Sequence, residues 1–215
     1  MSLKSTPIFD LTRLDYDVYA DASRIGTWSS KPACPKCKTP RRKRIPPLVI
    51  EWNEGSDVMA DVTFTGGLED IVVTGRVRTF IKQHRLSGVQ FGAVSMIQDR
   101  WLKKPLRPRK RRRIWLPYEG PPLWELRLTS CCHLNLKKSR WRILTECPTC
   151  GWREFEVDES TPLEKSLFVD RTTWDGSDFF RVHELNLVLA TQKAADLLRR
   201  SDFTNLKISR RGAIL

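Results

Sequence analysis

The sequence predicts an α+β fold of two related modules, each a small sheet with one main helix, joined through four cysteines. Three observations carry this. A strand ending in Thr, an amphipathic helix and a further strand occur in that order twice. The two occurrences align without a gap at an offset of 117 residues, pairing Thr74 with Thr191, Phe80 with Leu197, Ile81 with Leu198, Leu86 with Phe203, Val89 with Leu206 and Phe91 with Ile208. A Cys-Pro-x-Cys element precedes each occurrence, Cys34-Pro35-Lys36-Cys37 and Cys147-Pro148-Thr149-Cys150-Gly151.

The elements follow in chain order. Phe9, Leu11, Leu14, Tyr16, Val18 and Tyr19 alternate imperfectly with polar residues and predict one strand before Cys34. Ile45-Pro46-Pro47 breaks the chain, and Leu48–Trp52, rich in β-branched and aromatic residues, predicts a strand. Asp70–Thr74 reads as a short buried strand. Behind it Val77, Phe80, Ile81 and His84 fall on one helical face, with Thr74 at the N-cap position. The helix ends near Leu86-Ser87-Gly88, and Val89-Gln90-Phe91 resumes a strand. Trp124–Thr129, Arg140–Glu146 and Trp152–Val157 alternate as strands; the last two flank the second cysteine pair and predict a β-hairpin with that pair at its tip. Asn186–Thr191 is a strand, Ala194, Leu197 and Leu198 form a helical face, and Phe203–Ile208 is a turn and strand.

A strand, Thr-capped helix and strand form a common unit that can arise twice independently. Trp52-Asn53-Glu54-Gly55-Ser56-Asp57 also resembles Trp174-Asp175-Gly176-Ser177-Asp178, which favours one diverged internal duplication. The chain then divides into an N-terminal module over 1–97, a basic Pro-rich loop or arm over 98–122 and a C-terminal module over 123–215, and the three can also form one compact domain.

Four thiolates are the complement of a closed tetrahedral zinc site. In each pair the Pro pre-sets one backbone angle, and Gly151 suits the left-handed residue that closes a zinc knuckle. Cys34, Cys37, Cys147 and Cys150 are therefore the expected ligands of one structural Zn2+, zinc-ribbon-like in its hairpin half. With no coordination position left for water or substrate, the ion would be structural. Two metal-free turns, or a thioredoxin-like redox pair, are the competing readings of the same spacing. Cys131, Cys132 and His133 stay open: Cys131 or His133 could replace a missing ligand, and such residues also pack at strand ends. His84 completes a helix face, and His183 has no visible partner in sequence.

The chain has 215 residues, 40% hydrophobic and 29% charged, as expected of a globular protein, and no apolar run approaches a membrane span. The start, Met1-Ser2-Leu3-Lys4-Ser5-Thr6-Pro7, lacks the apolar stretch of a secretory signal. The expected compartment is the cytoplasm, where reduced thiols favour metal over disulfide. The net charge is +13. Lys103, Lys104, Arg107, Arg109, Lys110, Arg111, Arg112 and Arg113 carry eight of those charges within one acid-free stretch, and removing them leaves +5. Lys38, Arg41, Arg42, Lys43 and Arg44 form a second cluster. Such a field attracts phosphate, anionic lipid or an acidic protein. Trp101 and Trp115 flank the arm and could stack on unpaired bases or fasten its ends to the core. None of the three histidines lies in a nucleophile, carboxylate or His-Glu-x-x-His motif, and there is no phosphate-cradling Gly-rich loop, so no enzymatic activity is expected.

The early Cys34 and Cys37, the late Cys147, Cys150 and Gly151, and the C-terminal Trp174–Val182 and Leu189-Ala190-Thr191 resemble the bacterial double-CxxCG motif proteins. In that family an acidic-aromatic-aromatic-Arg strand precedes a helix and a final strand. Lys38 departs from the family's Gly after the first pair, and the basic arm has no counterpart. Some members are immunity proteins against secreted or contact-delivered toxins. The resemblance implies stoichiometric neutralisation of a partner toxin, here an acidic one given the charge. The alternative is a zinc-ribbon protein that binds nucleic acid through residues 103–113. Neither reading fixes the oligomeric state.

Overall fold

The computed structural model describes residues 5–14, 18–26, 28–29, 32–40, 44–65, 70–99, 112–157, 162 and 166–215. Within them the strands are β1 (Thr6–Thr12), β2 (Ala22–Arg24), β3 (Leu48–Trp52), β4 (Val62–Phe64), β5 (Ile71–Thr74), β6 (Val89–Met96), β7 (Leu123–Leu128), β8 (Cys131–Cys132), β9 (Trp141–Glu146), β10 (Arg153–Val157), β11 (Leu167–Val169), β12 (Phe179–Val182), β13 (Leu185–Thr191) and β14 (Lys207–Ile214). Helix α1 (Gly75–Gln83) follows β5, and α2 (Gln192–Arg199) follows β13. The protein is α+β and mostly strand.

Two six-stranded sheets result, ordered β2-β3-β6-β7-β5-β4 and β11-β14-β1-β13-β12-β8, with β9 and β10 as a separate hairpin. Each sheet has borrowed a strand. β1, from the start of the chain, lies antiparallel between β13 and β14. β7, which begins the second half, lies antiparallel between β5 and β6. The division at 97 and 123 thus separates chain segments but not sheets. β1 is shorter than the strand expected before Cys34: it closes at Thr12, and Val18 is 49% exposed.

The sheets share their local geometry. β3 runs parallel to β6, as β11 does to β14. The register of β4 on β5, Val62↔Val73, Thr63↔Val72 and Phe64↔Ile71, recurs 117 residues later as Phe179↔Ala190, Phe180↔Leu189 and Arg181↔Val188. The left-handed residues after the helices keep the same offset: Arg85 (φ 49°) with Asp202 (φ 52°), and Gly88 (φ 87°) with Asn205 (φ 59°). Both of the latter lie against the other half. A Cβ on Gly88 would stand 1.9 Å from the Phe179 carbonyl oxygen, and Asn205 Nδ2 donates to the Val62 carbonyl at 2.9 Å.

Period-two alternation sorts the side chains into three clusters. Ile71 and Val73 of β5, Leu126 of β7, Phe179 of β12 and Val188 and Ala190 of β13 meet Val77 and Ile81 of α1 and Ala194 and Leu198 of α2 in one central core. The opposite faces are covered too, by Val72 with Leu48, Ile50 and Trp52, and by Leu189 and Phe180 with Ile8, Leu167 and Ile214. With both faces covered, Ile71–Val73 of β5 and Leu187–Ala190 of β13 read as unbroken apolar runs. Full burial of one such side chain stabilises by roughly 1.5–3 kcal/mol.

Two acids fasten the halves. Asp61 accepts from Thr74 Oγ1 (2.9 Å), Arg76 (2.7 Å) and, across the interface, the Thr204 amide (3.2 Å). Asp178, 117 residues on, accepts from Lys193 Nζ (3.1 Å) and, across the interface, from the Ser87 amide (3.0 Å) and hydroxyl (3.1 Å). Thr191 caps α2 through the Ala194 amide, as its position predicts. Thr74 holds the same place before α1, but its hydroxyl turns to Asp61 and makes no side-chain cap bond.

Candidate metal centre

Each cysteine pair folds into the same turn. The Lys38 amide donates to the Cys34 carbonyl (2.9 Å) and the Cys34 amide to the Thr39 carbonyl (3.1 Å). In the second pair the Gly151 amide donates to the Cys147 carbonyl (2.8 Å) and the Cys147 amide to the Trp152 carbonyl (2.8 Å). The residue after each pair is left-handed, Gly151 at φ 71° and Lys38 at φ 59°. Lys38 therefore adopts the conformation that Gly151 takes in the second pair, against a steric cost of about 1–2 kcal/mol. The first turn leaves the first sheet between β2 and β3. The second is the tip of the β9–β10 hairpin, which leaves the second sheet between β8 and β11.

The turns face each other. Cys34 Sγ is 3.8 Å from Cys147 Sγ, Cys37 Sγ is 3.5 Å from Cys150 Sγ, and all four sulfurs lie within 4.8 Å of one another. Zn–S bonds of about 2.3 Å in a tetrahedron place sulfurs about 3.8 Å apart. The separations fit one ion of that class. Cys34 and Cys147 are buried and the other two half-buried, so one side of the cluster is dry.

The first turn favours thiolates. The Thr39 hydroxyl, 3.2 Å from Cys37 Sγ, and then the Thr39 amide pull the Cys37 thiol down to about 6. The Cys37 amide lowers the Cys34 thiol against the opposing effect of burial, helped by the Lys36 amide. Metal ligation needs the deprotonated form, so these bonds prepare the site for a cation.

Cys131, Cys132 and His133 stand apart from this cluster. Cys132 is fully buried in β8; burial above all, then the charges of Cys131, Glu184 and Asp175, pushes its thiol up to about 12, which is the state of a packed, protonated side chain. Cys131 is exposed. His133 pairs with Glu184, a partner 51 residues away that adjacency in sequence does not reveal. The sequence places His84 on the helix face, but α1 ends at Gln83 and His84 is its exposed C-cap residue, beside Phe80 with ring centres 4.3 Å apart and planes tilted by 53°.

Of the basic arm, Lys103, Lys104, Arg107, Arg109, Lys110 and Arg111 lie outside the described residues, as does Trp101. Arg112 is exposed and pairs with Asp57 at 3.0 Å. Arg113 differs from the expected solvent-facing cation: it is 4% exposed, 3.5 Å from Glu51, with its guanidinium 5.2 Å from the centre of the Trp115 ring. It fastens the end of the arm to the core and presents no free charge to a partner. Arg44 is likewise internal. It bridges Asp70 (3.2 Å) and the fully buried Glu125, which also lies 3.0 Å from Arg127. Arg41, Arg42 and Lys43 lie outside the described residues.

No protein-family model matches the chain, and no curated protein sequence matches it. Among the described residues no helix is long and apolar enough to cross a membrane.

Proposed function

We propose that this is a zinc-clipped, non-enzymatic binding protein of the cytoplasm that neutralises a partner toxin by stoichiometric protein–protein contact, in the manner of the double-CxxCG proteins it resembles. The observation that carries the reading is the four-sulfur cluster and what it holds up. Four thiolates fill a tetrahedron, which suits a structural ion and not a reacting one. The clip fixes the β9–β10 hairpin, which pairs with no other strand among the described residues, and Leu144 (52% exposed) and Trp152 (40% exposed) lie beside the knuckle on it. Exposed apolar and aromatic residues on a rigid support are the usual anchors of a protein interface. The net charge of +13 suits an acidic partner. The shared registers and left-handed positions at an offset of 117 support descent by internal duplication.

The test is co-expression with the product of the neighbouring gene. The reading expects a toxic product, rescue of growth and a 1:1 complex that Leu144→Asp with Trp152→Asp abolishes while leaving the metal bound. A harmless neighbour with no complex overturns it. Lys103, Lys104, Arg107, Arg109, Lys110, Arg111 and the exposed Arg112 favour a second reading, nucleic-acid binding. It expects affinity for single- or double-stranded nucleic acid that falls steeply with salt and is lost when residues 109–111 are neutralised. A flat or absent salt response removes it.

A further inference from the structure

We propose a second metal site, of open coordination, formed by His133, His183 and Glu184 at the edge of the second sheet. The topology builds it. β8 runs parallel to β12 with Arg181 opposite Cys131 and Val182 opposite Cys132, which brings the next residues, His133 and His183, side by side. His183 and Glu184 are the two-residue turn between β12 and β13. The backbone is fixed at both histidines: the His183 amide donates to the Cys132 carbonyl (2.8 Å), the His133 amide to Thr173 Oγ1 (2.9 Å), and the His133 carbonyl accepts from Asp170 (2.9 Å).

The side chains converge on that frame. The imidazole centres are 5.1 Å apart. Glu184 Oε1 is 2.8 Å from His133 Nδ1, and Oε2 accepts from the Leu134 amide at 3.1 Å, which orients the carboxylate as an outer-shell donor would. That carboxylate is only 7% exposed, although both imidazoles are open to solvent. The three donor atoms lie within 4.8 Å of one another. A plain His133–Glu184 ion pair has no use for His183. Two imidazoles and a carboxylate form a donor set that suits zinc, nickel, cobalt or ferrous ions. Unlike the four-thiolate centre, it leaves at least one position for water or a donor from another molecule. The first half has no such triad among its described residues, so the site is peculiar to the second.

The test counts ions. Protein already holding one zinc at the cysteines is titrated with Zn2+ by calorimetry, and bound metal is measured after gel filtration. The site expects a second equivalent. His133→Gln and His183→Gln, both at exposed positions, should weaken that equivalent roughly 100-fold, since outer-shell partners alone are worth roughly 10- to 100-fold. The first ion stays bound in both variants. Co2+ added in place of the second zinc should shift and broaden the ring proton signals of both histidines. A single equivalent in the parent protein, a second equivalent that His183→Gln leaves unchanged, or unmoved ring signals each overturn the proposal.

Discussion

Removing the metal from the four-sulfur cluster should lower stability by about 5 kcal/mol without dissolving the core. The sulfurs it joins are 113 residues apart in sequence. A link of that span kept in the unfolded chain would remove about 5 kcal/mol of its entropy by the chain-closure relation, and an ion bound by four thiolates only in the folded state can contribute at least that much through its binding free energy. Cys147→Ser abolishes the link and also leaves three thiolates within a few ångströms of one another, so 5 kcal/mol is a lower bound for that variant. For a chain of this size each kcal/mol moves the midpoint by about 2–4 °C, which gives a fall of roughly 10–20 °C. The assay is thermal and urea unfolding of the metal-loaded protein, the chelated protein and Cys147→Ser, with bound metal measured in each. Cys34→Ser combined with Cys147→Ser should lose scarcely more than either alone, because both act through one ion. Cys132→Ser, buried but outside the cluster, should keep its metal. Additive losses from Cys34→Ser and Cys147→Ser, or a chelated protein within about 2 °C of the loaded one, would refute the shared centre.

Three further outcomes follow from single residues. Glu125→Ala leaves Arg44 and Arg127 facing a site 1% exposed to water and should cost about 3–5 kcal/mol in urea unfolding. Lys38→Gly relieves a left-handed residue at φ 59° and should raise stability by up to about 1 kcal/mol, offset in part by the greater freedom of Gly in the unfolded chain. Burial holds the Cys132 thiol up at about 12 against an ordinary value of 9.0, so the native state keeps its proton while the unfolded chain gives it up. Its contribution is complete below pH 9 and is lost as pH rises from 9 toward 12. Cys132→Ala should flatten that decline relative to the parent, and native Cys132 should resist alkylation at pH 8 while the exposed Cys131 reacts.

Much of this fold is legible in the residues because its signals are local. The face of Val77 and Ile81, the Thr191 cap, the hairpin around Cys147 and the paired cysteines all act within a few positions of themselves. The four strands of two or three residues, β2, β4, β8 and β11, are too short for any period to show. The exchange of β1 and β7 leaves no local trace in sequence, because strand partners are set by residues far away along the chain. Arg44 and Arg113 sit in runs of cations that read as a solvated field, while the acids that neutralise them, Asp70, Glu125 and Glu51, are between 26 and 81 residues away. His183 is silent in sequence for the same reason: its neighbour His133 arrives through the pairing of β8 with β12.

The position of the four sulfurs is where a bound ion would add most. The two sheets are already bound by the exchanged strands, by the central core and by the crossed bonds of Asp61 to Thr204 and Asp178 to Ser87. Trp141 at the base of the β9–β10 hairpin packs on the cluster of Ile8, Leu167 and Ile214, and Arg44 at the end of the β2–β3 excursion is anchored on Asp70 and Glu125, but neither Cys34–Thr39 nor the hairpin tip at Cys147–Trp152 belongs to a core cluster. The hairpin's strands face solvent on most positions, with Ile143 half-hidden at best and Leu144 exposed, and a lone two-stranded hairpin is marginal in water. Apolar burial is scarce at the two knuckles themselves, where Cys34 and Cys147 alone are buried within 32–40 and 147–152. Metal–thiolate bonds need no buried area, only four donors brought within reach. An ion bound there would therefore act where the hydrophobic core stops. Its removal should raise amide exchange at Cys34–Thr39 and along β9 and β10 well before β5, β13 or the two helices respond. Uniform loosening of both sheets on chelation would mean instead that the cluster supports the core itself.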